Sequence, residues 1–273
     1  MALGRIARIA AAAAAIAMPP IMGVALAQGT PSPPQLLENT GKPITLPFRC
    51  GSEDFQWAGL ACTESDPCPA YLEIAGVDGA GERIVAAGNF HTDAVTLASV
   101  LLASSDGGKT WGESYERIRG AGLDRVQLGQ GGSGWVSGAD LFPISKNPFL
   151  LVTKDGSLWR RTPIFAEVTT GDVLEFQFSK ATDGALVVDR GPSGGSARYE
   201  SYESNDGGSV WRLKDASARP PLPLSPADSG WRVRADAASR SFQVERRSGE
   251  AWTVAAAFAI QAGVCTPAPA PAR

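Results

Sequence analysis

A short phrase returns four times between residues 104 and 252. It reads SSDGGKTW at 104–111, TKDGSLW at 153–159, SNDGGSVW at 204–211 and, reduced, SGEAW at 248–252. The acidic positions Asp106, Asp155, Asp206 and Glu250 lie 49, 51 and 44 residues apart. A second pattern keeps step with the first: RIVAAGN (83–89), GWVSGAD (134–140), GALVVDR (184–190) and GWRVRAD (230–236). It starts 23, 21, 22 and 20 residues ahead of the acidic position. Two patterns held in fixed phase at this period mark a repeat architecture, in which one supersecondary unit recurs and stacks on its neighbours.

Each unit divides into four strand-like runs. The first holds YLEIAGV, RIVAAGN, SVLLASS and KTWGESY; the second DRVQLGQ, GWVSGAD, PFLLVTK and LWRRTPI. The third holds VLEFQFS, GALVVDR, RYESYES and SVWRLKD; the fourth PPLPLSP, GWRVRAD, SFQVERR and EAWTVAA. The runs are short, rich in β-branched and aromatic residues, and bounded by Gly, Pro, Asp and Ser. Pro220, Pro221 and Pro223 keep the first run of the fourth unit from a central strand position. No segment after residue 28 sustains a helical period. The predicted class is all-β: a β-propeller whose four four-stranded antiparallel blades span about residues 70–258. The flanks 43–69 and 259–265 contain PITLPFRC and AIQAGVC, which could build a fifth blade from both ends. An open arc of four blades is the competing picture.

The phrase itself reads as a hairpin turn. Asp106, Asp155 and Asp206 can accept hydrogen bonds from turn N–H groups. Gly108 and Gly208 can adopt positive φ without steric cost, and Trp111, Trp159 and Trp211 can put a ring beneath the turn. The pattern Ser104-x-Asp106-x-Gly108-x-x-Trp111, repeated at Ser204, Asp206, Gly208 and Trp211, resembles the Asp-box or BNR repeat. Asp-boxes occur in sialidases, sortilin-type receptors and the photosystem II assembly factor family of propellers; the phasing is most similar to the last, or to exported bacterial propellers of the same class. The resemblance implies that the box joins the third and fourth strands of a blade at the outer rim, away from any catalytic pocket. These residues are therefore expected to be structural.

The ends bound the folded part. Arg5 and Arg8, the apolar run Ile9–Ala17, the helix-breaking Pro19 and Pro20, and Ala25-Leu26-Ala27 read as a signal peptide over 1–27. A membrane anchor is the competing reading, but the run is too short to span a bilayer. Residues 28–42 read as a polar linker, 43–265 as the propeller and 266–273 as a Pro/Ala-rich tail. Without the leader, 23 basic residues face 28 acidic ones, a balance of −5, with no membrane span remaining. That balance argues against a nucleic-acid partner. The leader implies a periplasmic or extracellular protein, and all four Cys follow it. Two disulfides are expected, with three possible connectivities. The short loop TESDP favours Cys62–Cys68, leaving Cys50–Cys265 to tie the ends together. A loop that long stabilises by roughly 4–5 kcal/mol in the chain-entropy model.

No constellation forces an enzymatic reading. His91 is the single His and lies in the run NFHTDAV. No triad, metal-ligand spacing or cofactor fingerprint emerges, so no catalytic residue, metal or cofactor is assigned. Sialidase chemistry requires an Arg cluster, and its first Arg stands in a Phe/Tyr-Arg-Ile-Pro motif. Here Phe48-Arg49 runs into Cys50-Gly51. The mature tyrosines Tyr71, Tyr115, Tyr199 and Tyr202 sit in or beside strand runs. The basic pairs Arg160-Arg161 and Arg246-Arg247, with Arg232, Arg234 and Arg240, read as a solvated face or as a patch for an acidic partner. Two function classes follow: an exported, non-enzymatic scaffold for an unknown protein partner, and a glycan-binding or sialidase-like propeller. The connections at Asn89–Ala98, Ala139–Pro148 and Gly191–Ala197 exceed hairpin needs and are expected to carry specificity.

Overall fold

A computed structural model describes residues 36–141, 146–224 and 229–267. The leader at 1–27, residues 28–35 of the linker and residues 268–273 of the tail lie outside the described residues. The chain opens with β1 (Leu37–Glu38) and a seven-residue helix α1 (Ser52–Ala58), followed by β2 (Cys68–Ala80), β3 (Arg83–His91), β4 (Thr96–Ser104) and β5 (Thr110–Tyr115). Next come β6 (Ala121–Leu128), β7 (Gly134–Asp140), β8 (Asn147–Thr153) and β9 (Trp159–Pro163). Then follow β10 (Asp172–Phe178), β11 (Gly184–Asp189), β12 (Tyr199–Ser204) and β13 (Arg212–Ser217). Last are β14 (Trp231–Asp236), β15 (Ser241–Ser248), β16 (Ala251–Ala259) and β17 (Gln261–Cys265).

The strands form four antiparallel sheets: β1-β5-β4-β3-β2-β17, β6-β7-β8-β9, β10-β11-β12-β13 and β14-β15-β16. We call them sheets one to four. Their order in space follows from what they bury. Ile84, Ala86 and Leu102 of sheet one pack with Val244, Ala256 and Phe258 of sheet four. The alternate residues Val85, Ala87 and Leu101 pack with Val136, Phe149 and Leu151 of sheet two. The other side of sheet two, through Trp135 and Leu150, packs with Phe176, Phe178, Leu186 and Val188 of sheet three. Sheets one and two are thus buried on both faces, which is why RIVAAGN and PFLLV read as nearly continuous apolar runs. Sheets three and four are covered on one face, and WRVRAD of sheet four alternates accordingly. Each large side chain buried in these layers contributes about 1.5–3 kcal/mol. Among the described residues no hydrophobic cluster joins sheet three to sheet four.

Polar ties reinforce the layers. The Asn89 side chain donates to Leu123 O and accepts from Leu123 N, both at 2.8 Å. The Gln127 side chain does the same for Phe178, at 2.7 and 2.8 Å. Trp135 stacks on Phe178 at 3.9 Å and donates Nε1–H to Gly207 O at 2.9 Å.

Several expectations change. Among the described residues sheet four has three strands; Pro220–Leu224 forms none, and the rest of PPLPLSP lies outside the described residues. No fifth sheet arises from the flanks. β17 instead extends sheet one by pairing with Cys68–Tyr71 of β2, while Ile44 bridges Phe258 in parallel. The part of the linker that is described is structured: Leu37 and Glu38 pair with Trp111 and Thr110, and Asn39 Nδ2 donates to Gly108 O and Ala255 O. Its few apolar residues escape notice because edge pairing uses backbone groups. Helix α1 is also unforeseen, since seven residues are too few to display a period. Asp54 starts it by accepting from Gly51 N at 2.7 Å. Disulfides join Cys50 to Cys265 and Cys62 to Cys68. The first links the chain's two flanks across 215 residues. Such bonds persist in an oxidising compartment. Among the described residues no helix is long and apolar enough to cross a membrane.

Candidate functional site

The first three boxes build the same kind of turn. Ser104 Oγ donates to Asp106 Oδ1 at 2.8 Å and accepts from Gly108 N at 2.8 Å. Asp106 Oδ1 accepts from Lys109 N and Thr110 N, and its Oδ2 from Thr110 Oγ1 at 2.6 Å. Ser204, Asp206, Gly208, Ser209 and Val210 repeat this arrangement with contacts of 2.8–3.0 Å. In sheet two Thr153 stands for the Ser, and Asp155 Oδ1 accepts from Ser157 N and Leu158 N. Gly108 and Gly208 hold φ of 92° and 90°, a region that favours glycine. The rings of Trp111 and Trp159 are buried, and Trp211 is half-buried. Trp111 Nε1 donates to Gly108 O at 3.1 Å. The fourth copy closes more tightly, with Ser248 pairing Ala251 across Gly249-Glu250.

Hydrogen bonding sets the charge of these carboxylates. The Thr110 hydroxyl and N–H hold Asp106 well below the usual carboxylate range. The N–H groups of Leu158 and Ser157 lower Asp155. Burial pushes Asp206 up, but the donors at Val210, Ser204 and Ser209 more than offset it. Their oxygens are occupied by their own turns.

The expected loops hold themselves in a similar way. Thr92 Oγ1 accepts from Ala94 N and Val95 N, and His91 Nδ1 lies 3.0 Å from Thr92 O, which fixes the proton on Nδ1. Gly191–Ala197 is a 3-10 segment flanked by the Arg190–Glu200 and Arg198–Asp189 ion pairs, at 2.9 and 2.6 Å. In the Ala139–Pro148 connection, residues 142–145 lie outside the described residues. Arg161 pairs with Asp140 and lies 4.1 Å over Phe149. Arg49 is exposed beside the buried Phe48.

The residues that do converge are ones the sequence did not single out as a site. The inner strands of all four sheets meet at a cleft of about 470 Å³. β2 supplies Asp78 and Gly79, β6 supplies Arg125 and Gln127, β10 supplies Phe176 and Gln177, and β14 supplies Trp231, preceded by Ser229. Asp78 is the buried pin of this meeting point. It accepts from Gly79 N and Leu128 N, each at 2.7 Å, and from the Ser229 hydroxyl. Burial pushes its carboxyl up, against the pull of those three donors. Trp231 packs against Gly79, where a Cβ would come 2.3 Å from the indole, and the Arg246 guanidinium lies 5.7 Å over its ring. Arg125 leaves more than half of its side chain exposed.

Trp231 owes its place to the three prolines. In the second repeat the equivalent Trp135 follows Gly134 on the second strand and is buried between sheets. In the fourth repeat Pro220, Pro221 and Pro223 cannot donate to a ladder and no first strand forms among the described residues, so β14 stands at the sheet's edge and its indole reaches the cleft. The GW repeat together with the proline run was the signal for this. Among the described residues no group of His, Cys, Asp and Glu is arranged to hold a metal.

No family model matches the chain, and no curated protein matches it. Loose structural likeness exists to solved proteins. A GH74 xyloglucanase from Xanthomonas campestris is 16% identical over 69% of this chain and 28% of that one, with a TM-score of 0.37. An ulvan lyase of polysaccharide lyase family PL25 is 10% identical over 74% of this chain and 54% of that one, with a TM-score of 0.38. The same kind of lyase bound to -[GlcA(1-4)Rha3S]- gives 0.39. The chain spans little more than half the length of these lyases and less than a third of the xyloglucanase. Overlaps this loose carry nothing further about the chain.

Proposed function

We propose that the four sheets are the blades of an exported, incompletely closed propeller that binds a glycan at the cleft where its inner strands meet. The observation that supports this is the cleft lining, to which β14 brings the Trp231 indole and β6 the half-exposed Arg125 guanidinium, beside Phe176 of β10 and Gly79 of β2. An indole offers an apolar platform for the C–H face of a pyranose, and a guanidinium bonds its hydroxyls. Glycosidic hydrolysis takes two carboxyl groups, whereas Asp78 is the one carboxylate among the described residues of the lining, and its oxygens are engaged. Binding is therefore the proposed activity. The two disulfides support an exported setting. On this reading the box carboxylates are structural and lie apart from the ligand.

A glycan array followed by calorimetry tests the proposal. Wild-type protein should bind at least one glycan class, and Trp231→Ala should weaken it about tenfold, the equivalent of about 1.4 kcal/mol of lost ring contact. Asp106→Ala should leave the affinity unchanged. Unchanged affinity in Trp231→Ala, or capture of a protein partner by a chain that binds no glycan, would restore the scaffold reading.

A further inference from the structure

The outer face of sheet four holds a second arrangement that neither the boxes nor the cleft uses. Arg232 and Arg234 alternate along β14 and so share a face, about 7 Å apart along the strand. Glu245 stands directly opposite Arg232 on β15. It is 4% exposed and accepts from Arg232 Nε at 2.6 Å and from Arg234 Nε at 2.9 Å. Arg234 also bonds Gln243, and the Arg232 guanidinium lies 4.1 Å over the Trp252 ring. Burial pushes the Glu245 carboxyl up, and the two guanidiniums more than offset this, so it stays charged.

The geometry orients both guanidiniums. Each spends its Nε on one shared carboxylate, while the side chains remain 43% and 48% exposed. Arg234 also spends Nη2 on Gln243, so its Nη1 and the two Nη nitrogens of Arg232 are what the pair can offer a ligand. Planar forks of this kind match the oxygens of carboxylate and sulfate groups. The other face of the same sheet packs on sheet one through Val233, Val244 and Ala256, and among the described residues no hydrophobic layer covers the arginine face. β14 also places Trp231 in the cleft, one residue before Arg232.

We infer that the bound glycan is acidic, and that Arg232 and Arg234 grip its carboxylate or sulfate as the chain leaves the cleft across β14. This rests on the glycan reading of the cleft. The chain as a whole is acidic, at −3, and repels polyanions elsewhere, so the local fork would select by position as well as by charge.

Two matched pairs test the inference by calorimetry at low salt: oligogalacturonate against its methyl ester, and dextran sulfate against dextran of equal length. Wild-type protein should prefer the acidic member of at least one pair by tenfold or more, and added salt should erode the preference. Preference in the first pair identifies a carboxylate, and preference in the second a sulfate. Arg232→Gln/Arg234→Gln should abolish the preference and keep the affinity for the neutral member. Arg232→Lys/Arg234→Lys, which keeps the charge and loses the fork, should retain only part of it and covers the case where the Gln variant does not fold. Equal binding of acidic and neutral members, or a preference that survives the Gln variant, overturns the inference and leaves the cleft reading standing. An affinity for the acidic member untouched by Trp231→Ala overturns the cleft reading and leaves the arginine pair standing. Binding of neither member in both pairs overturns both.

Discussion

At the residue scale, small polar groups decide where the backbone turns and where sheets meet. Asp106 holds three donors and a serine in one turn, and its lowered pKa makes that contribution dependent on pH. A carboxylate held below its unfolded value stabilises the fold above about pH 4, and the effect is lost as pH falls through the folded value. Asp78 has the opposite sign: its raised pKa favours the fold at low pH and loses that effect as pH rises through the folded value. Melting curves recorded from pH 7 down to pH 2 should therefore show an acid limb that is shallower in Asp106→Asn than in wild type. Parallel limbs would remove Asp106 from the account of acid stability. Asn89 is a sharper case, since both of its amide atoms serve Leu123 across a sheet junction. Asn89→Ala should cost about 2–3 kcal/mol in urea unfolding, because it leaves two buried backbone groups unpaired. The boxes were legible in the sequence because a turn is a local event with a local signature. The Asn89 and Gln127 ties were not, because each joins residues 34 or 51 positions apart and nothing near them announces the partner.

At the scale of elements, hydrophobic patterning carried most of the strand layout. Short runs rich in β-branched and aromatic residues, bounded by Gly, Pro, Asp and Ser, marked the strands, and those of sheets one and two are buried on both faces. The pattern was silent on pairing at the flanks. PITLPFRC alternates as a strand would, with Ile44, Leu46 and Phe48 buried, yet its partners come from the far end of the chain. There Phe48 N donates to Ala262 O at 2.9 Å and Cys50 bonds Cys265 two residues further along. Joining flanks 215 residues apart, this disulfide should contribute about 5 kcal/mol by restricting the unfolded chain. Cys50→Ser/Cys265→Ser should lose most of that in equilibrium unfolding. The six-residue Cys62–Cys68 loop should contribute about 2 kcal/mol by the same reasoning. Equal losses for the two pairs would show that loop length is not what matters. Trp135→Phe keeps the stacking on Phe178 and removes the bond to Gly207 O, so it should cost about 1 kcal/mol.

At the scale of the molecule, one deviation from the repeat creates the candidate site. Among the described residues the proline run forms no strand, β14 is left at the sheet's edge, and Trp231 reaches the cleft instead of lying between sheets as Trp135 does. The repeat could be read from spacing, but the consequence of breaking it could not, because it depends on four strands from distant parts of the chain. Hydrogen–deuterium exchange with and without the glycan that binds best is the most direct measurement. Protection should appear together in four separate segments, at 76–79, 125–128, 176–177 and 229–231, with the box turns at 104–111 and 204–211 unchanged. Protection confined to the 92–95 or 191–197 connections, or to the box turns, would contradict a ligand held where the four inner strands meet.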